Sequence, residues 1–222
     1  MQPSTTSVTR RSASAAIWTP FLLLCLIAIA AVIRRFVVLM LPPALDPTGL
    51  DAGFASQKTL TLAHILPALA LVLLLPFWFS RRVRARPSIH RNITHALFVL
   101  GLVVGLTAVP MSFHPVGGVT EVSATLFFDA LFLVSLVRAW MAFRRNDAAR
   151  HRVWMLRAVS VLLGIATTRP VMGVFFATSR LTGLTPHQFF GIAFWTGFTI
   201  TWLAGEAYLR THPDPVTPMH SA

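Results

Sequence analysis

The sequence predicts an all-α bundle of about six transmembrane helices with both termini on the cytoplasmic side. Three observations predict it. Of 222 residues, 55% are hydrophobic and only 12% are charged, about half the charged share of an ordinary soluble domain, and mean hydropathy is +0.68. The apolar residues gather in runs near the roughly 20 residues that a helix needs to cross a hydrocarbon core. The basic residues fall in alternate connections between those runs.

The first run, residues 16–40 (AIWTPFLLLCLIAIAAVIRRFVVLM), is interrupted by Arg34 and Arg35 near its far end. Arg10 and Arg11 before it resemble the basic start of a signal peptide. The run is too long for a signal-peptide core and lacks a small-x-small cleavage site, so it reads as a retained helix. The second, 59–80, is stopped by Arg81, Arg82, Arg84 and Arg86. The third, 92–111, carries Gly101 and Gly105 at a spacing that lets helices approach closely, and runs out into His114, Pro115, Gly117 and Gly118. The fourth, 121–143, ends at Arg144 and Arg145; the fifth is 153–176; the sixth, 187–209, precedes a polar tail. Three segments result: a polar N-terminal stretch, 1–15, a transmembrane domain, 16–209, and a polar C-terminal tail, 210–222.

Arg10 and Arg11, the Arg81–Arg91 connection, the Arg144–Arg152 connection and Arg210 all fall on one side. The opposite connections hold only Lys58, no basic residue, and Arg180. By the positive-inside rule the Arg-rich side is cytoplasmic. The net charge of +12, from 19 basic and 7 acidic residues, is therefore matched by anionic lipid headgroups, with no need for nucleic acid. Runs two and three lack the polar face that a soluble core helix needs. One cysteine, Cys25, allows no disulfide within the chain and no Cys-rich metal site. HExxH, GxSxG and P-loop motifs are absent.

Charge inside hydrocarbon needs a partner, a wet cavity or access to the interface. Depth sorts the ionisable residues into two layers. His64, His114, Glu121, His187, Arg169, Arg34 and Arg35 belong to an outer layer. His90, Arg91, His95, Arg138, His151, Arg152, Trp154, Arg157, Glu206 and Tyr208 belong to an inner one, and Asp129 lies between. Plain roles exist for many of them. His90, Arg91, His151 and Arg152 can sit among headgroups, and Arg34, Arg35 and Arg138 can snorkel. Trp154 and Trp195 fit interfacial or packing positions. Three arrangements carry chemistry. His64, His114 and His187, with Glu121 as fourth ligand or base, would suit zinc if their four segments converged. Asp129 and Arg169 are expected at similar depth, about 12 and 10 Å from the outer surface at about 1.5 Å per residue, and are expected to pair. Pro67, Pro76, Pro170 and Gly173 allow the discontinuous helices of a transporter for a proton or small anion.

The segment HRVWMLR, with His151, Arg152, Trp154, Met155 and Arg157, is the most specific motif. Together with His64, the His90–Arg91 pair, the HPVGG loop and Arg169 it resembles the DUF2306 family of predicted bacterial membrane proteins, over roughly residues 55–208. That resemblance implies a multi-pass protein of the bacterial plasma (inner) membrane and leaves the reaction open. Thr94, followed by His95, stands where such families usually carry Gly. In architecture alone, six helices with layered histidines also resemble cytochrome b561-type carriers. This implies a haem b held by His151 with His95 or His90, its propionates met by Arg91, Arg152 and Arg157, and a membrane redox partner. An accessory or assembly role, or a homo-oligomer, would need no buried site.

The orientation has a direct test. On a Cys25→Ala background, Ser88→Cys should resist an impermeant thiol reagent applied to intact cells and react once the membrane is opened. Labelling of intact cells would reverse the assignment.

Overall fold

The computed structural model describes residues 6–41 and 56–212, with side chains from Trp18 onward. The first five residues, residues 42–55, and residues 213–222 of the expected tail lie outside the described residues. Those described form eight helices: α1 (Thr6–Met40), α2 (Lys58–Phe79), α3 (Arg81–Arg84), α4 (Pro87–Ser112), α5 (Gly118–Arg144), α6 (Ala148–Leu162), α7 (Gly164–Thr182) and α8 (Pro186–Thr211). Five stretches are long and apolar enough to cross a membrane: Trp18–Met40, Lys58–Phe79, Pro87–Ser112, Gly118–Arg144 and Ala148–Thr182. The sixth long helix, α8, has 26 residues. The protein is an all-α, polytopic membrane bundle.

The helices outrun the apolar runs that announce them, because backbone hydrogen bonding continues past the hydrocarbon into polar sequence. Helix α1 already begins at Thr6, inside the expected polar segment. Helix α4 begins at Pro87, a residue whose fixed φ and missing N–H suit a first helical position. The fifth span is divided: α6 ends at Leu162 and α7 starts at Gly164.

Two compact units make up the chain, Met1–Thr107 and Ala108–Ala222. In the first, α1 packs on α2 through Phe21, whose ring meets Phe79 edge-on at 5.2 Å. Cys25, Ala28, Ile65, Leu71, Leu75 and Leu97 are buried there.

In the second unit α8 is the common neighbour of α5, α6 and α7, and α5 also packs along α6. The α5–α6 turn uses Asn146 at φ 55°, a left-handed position that Asn tolerates. Asp147 then caps α6, accepting a hydrogen bond from the Arg150 amide at 3.0 Å. The α7–α8 turn places Gly183 at φ 69° and starts α8 with a capping box between Thr185 and Gln188, with Pro186 behind it.

Glycines set the closeness of α8. A Cβ on Gly191 would stand 2.6 Å from the Glu121 amide nitrogen, one on Gly197 would stand 2.6 Å from the Thr168 nitrogen, and one on Gly205 would collide with the Ser160 hydroxyl. Gly164 of α7 lies just as tightly on Phe198. Backbones approach this closely in membranes only where side chains are missing.

Gly197→Ala should therefore lower thermal stability in matched detergent by about 1–3 kcal/mol, the usual result of overpacking. Gly173 of α7 has nothing within 4 Å of its would-be Cβ, so Gly173→Ala should be neutral or stabilising by up to about 1 kcal/mol. Equal effects of the two would refute the packing argument.

Candidate functional site

Polar side chains tie the helices together, and each tie follows from the rule that a buried donor or acceptor must find a partner. In the first unit, Trp78 of α2 donates its indole N–H to Thr94 Oγ1 of α4 at 3.1 Å, and Thr94 donates in turn to the His90 carbonyl at 2.9 Å. The His90 ring lies 5.6 Å from the Trp78 ring. Thr94 is thus buried and joins two helices. His64 Nδ1 reaches the Val104 carbonyl at 3.1 Å and Thr107 Oγ1 at 3.0 Å. A carbonyl only accepts, so the proton is on Nδ1 and a neutral His64 carries its lone pair on Nε2.

His151 repeats this logic in the second unit. It is buried, and its Nδ1–H donates to the Ala139 carbonyl of α5 at 2.9 Å. The imidazole of the HRVWMLR segment is therefore a fixed clamp between α5 and α6.

The rest of that segment builds a charged layer at the same end. Arg157 Nε donates to Glu206 Oε1 at 2.6 Å, and its Nη2 donates to Oε2 at 3.1 Å, a bidentate pair joining α6 to α8. Trp154, one turn before Arg157, lies beneath two guanidinium groups: Arg157 at 4.6 Å and Arg138 of α5 at 4.8 Å from its ring. At the other end of the unit, buried Glu121 accepts the Gly117 N–H at 2.6 Å. Midway, Thr167 and Thr201 hydroxyls meet at 2.6 Å between α7 and α8, and buried Thr168 donates to the Ile165 carbonyl.

Several expected associations are not made. Asp129 makes no hydrogen bond or ion pair among the described residues, so the expected Asp129–Arg169 pair is not formed. Its premise was that consecutive spans are neighbours throughout. Here α7 packs along α8, and Trp195 and Phe198 of α8 occupy the space beside Phe128 of α5. The acid that an arginine does hold is Glu206. Arg157, expected at a haem propionate, has both carboxylate oxygens of Glu206 on it instead.

For zinc, the described residues contain no group of three or more His, Cys, Asp and Glu able to hold a metal. His64 is committed to Val104 and Thr107, Glu121 serves as the brace of its own helix start, and His114 and His187 are exposed. For haem, the expected ligands are placed unit by unit. His64 meets α4 at Val104, about 14 Å along the helix from His95, and His95 and Arg91 are exposed. In the second unit His151 is buried, while His114, His187 and His212 are exposed at helix ends. The expected axial ligands divide between the units, His151 in the second and His90 and His95 in the first.

The ties built from Thr94, Thr107, Thr167 and Thr201 were invisible in the sequence, where threonine within an apolar run reads as filler. The Arg157–Glu206 pair had a signal: an acid and a base at matching depth near the Arg-rich ends of spans five and six.

Fold and site together define a polytopic membrane protein with a buried network of His, Arg and acidic residues and no determined activity. Residues 61–208, more than half of the chain, match the family described as predicted membrane protein DUF2306, and the chain belongs to that family. No curated protein and no solved structure matches it.

The bidentate pair is testable. A double-mutant cycle with Arg157→Gln and Glu206→Gln, read by thermal stability, should show coupling of about 1–3 kcal/mol. A coupling indistinguishable from zero would mean that the two charges are held independently.

Proposed function

We propose that the protein moves a small anion across the bacterial inner membrane. The observation that supports this is the divided fifth span. Between α6 and α7 the span tightens for one turn at Leu163, whose amide still bonds the Val159 carbonyl at 2.9 Å and whose carbonyl receives the Ala166 and Thr167 amides at 3.0 and 3.3 Å. Transporter sites gather where a transmembrane helix departs from regular geometry and carries Gly or Pro.

Here the first two turns of α7 carry the hydroxyls of Thr167 and Thr168 and the guanidinium of Arg169, followed by Pro170. Pro170 lacks an N–H and leaves the carbonyl one turn earlier without its helical donor, which favours bending at this level. The hydroxyl protons of Thr167 and Thr168 are already given to Thr201 and to the Ile165 carbonyl, so the group that favours an anion over a metal ion or a proton here is the guanidinium of Arg169. The cargo would be small, since α7 and α8 approach to backbone distance at Thr168 and Gly197.

Proteoliposomes loaded with an anion-sensitive dye supply the test. Wild-type protein should pass chloride, nitrate or phosphate at least about ten-fold faster than protein-free vesicles. Arg169→Gln should lose most of that flux while keeping its melting temperature within a few degrees. Wild-type flux equal to that of empty vesicles for all three anions would overturn the proposal.

A further inference from the structure

Arg138 is distinctive among the arginines of the second unit. It is exposed, it stands on α5 seven residues before the cap residue Arg145, about 10 Å inward from the helix end at about 1.5 Å per residue, and its guanidinium carbon lies 4.8 Å from the Trp154 ring centroid. The carboxylate at this level among the described residues, Glu206, has both oxygens on Arg157. Two guanidinium groups thus share one indole, and among the described residues only one of them has a counter-charge. Among the described residues no carboxylate pairs with Arg138.

A guanidinium lying on an indole has its face covered and its N–H groups directed outward in the plane of the group. That fork matches two oxygens of a phosphate, and stacking reduces the side-chain freedom lost when the anion arrives. An arginine recessed from the helix end cannot shed its charge, and the phosphates of the surrounding lipid are the nearest anions a snorkelling guanidinium reaches. Trp154 adds an aromatic edge suited to the headgroup level.

We propose that Arg138, held on Trp154 and backed by the Arg157–Glu206 pair, is a binding site for a phosphate group, supplied by an anionic membrane lipid. The site has three tasks divided among its members. Arg138 contacts the phosphate, Trp154 positions Arg138, and Glu206 neutralises Arg157 so that a single positive charge faces the ligand. It stands on α5, α6 and α8, apart from the α7 restart, and does not depend on anion transport.

The test uses the full-length protein in zwitterionic detergent, titrated with short-chain phosphatidylglycerol, with short-chain phosphatidylcholine and with inorganic phosphate, and read by native mass spectrometry and thermal shift. Wild-type protein should bind the phosphatidylglycerol about ten-fold more tightly than the phosphatidylcholine, which is about 1.4 kcal/mol. Arg138→Gln should remove most of that preference. Arg138→Lys should restore only part of it, because an ammonium is a point charge without the planar fork. Arg144→Gln removes the same charge from an exposed position at the end of the same helix and should leave the preference within about two-fold. Trp154→Leu, which keeps every charge, should weaken binding by removing the platform.

Competition by inorganic phosphate that depends on Arg138 would support the phosphate site and identify soluble phosphate as an additional source. Phosphatidylglycerol binding without such competition would support the lipid source. Equal losses in Arg138→Gln and Arg144→Gln would show bulk attraction and overturn the proposal. So would a wild-type protein with no preference between the two lipids.

Discussion

A polar atom inside a bilayer has no water to fall back on, and leaving one unsatisfied costs several kcal/mol. The bundle is organised around that constraint. Its helices are apolar on most faces, so lipid solvates them nearly as well as they solvate one another, and apolar contact alone selects no partner helix. Selection falls to the few polar atoms that must be satisfied. His64 finds Val104 and Thr107, Trp78 finds Thr94, His151 finds Ala139, Arg157 finds Glu206, and Thr167 finds Thr201. Each is a link between helices distant in sequence or separated by a turn, and each fixes the rotation of at least one helix about its axis.

Packing adds what the polar links cannot. Gly191, Gly197 and Gly205 lie on α8 at three levels, against α5, α7 and α6 respectively. The spacing brings α8 to backbone distance from α5 and α7 and onto the Ser160 side chain of α6, and makes α8 the post around which the second unit is assembled. Aromatic rings fill the remaining width, with Phe128 between Trp195 and Phe198 and Phe175 stacked on Phe189 at 5.3 Å. Glycine contacts set distance and hydrogen bonds set rotation, so the two kinds of restraint are complementary.

The long apolar runs were legible as spans because hydropathy reports the bilayer-crossing part of a helix directly. The extensions at Thr6 and Pro87 were not, since a helix continuing into polar sequence leaves no apolar trace. The charged layer was half legible. Depth alone put Arg138, Trp154, Arg157 and Glu206 near one end, but depth says nothing of azimuth. Trp154 therefore read as an interfacial or packing aromatic and Glu206 as one more member of the inner layer, when one is a platform for two cations and the other a bidentate partner. Azimuth also undid the Asp129–Arg169 pair: equal height on consecutive helices does not bring side chains together when a third helix fills the gap. The glycine post escaped notice for a related reason, because Gly191, Gly197 and Gly205 do not repeat at the four-residue spacing that made Gly101 and Gly105 conspicuous.

The turn between α7 and α8 has a consequence for how the chain enters the bilayer. Three residues separate the helices, with Gly183 in the left-handed region and Thr185 already engaged with Gln188. Helix α8 is the long helix outside the five stretches whose own hydropathy suffices for a span, and it carries Glu206 near its far end. A segment of modest apolarity joined so closely to its predecessor enters the membrane as the second arm of a helical hairpin. The Arg157–Glu206 pair can then close as the two arms come together. Insertion of the last span is therefore expected to depend on the one before it, and an insertion that lengthens the turn at Gly183 should separate a less apolar segment from its partner arm.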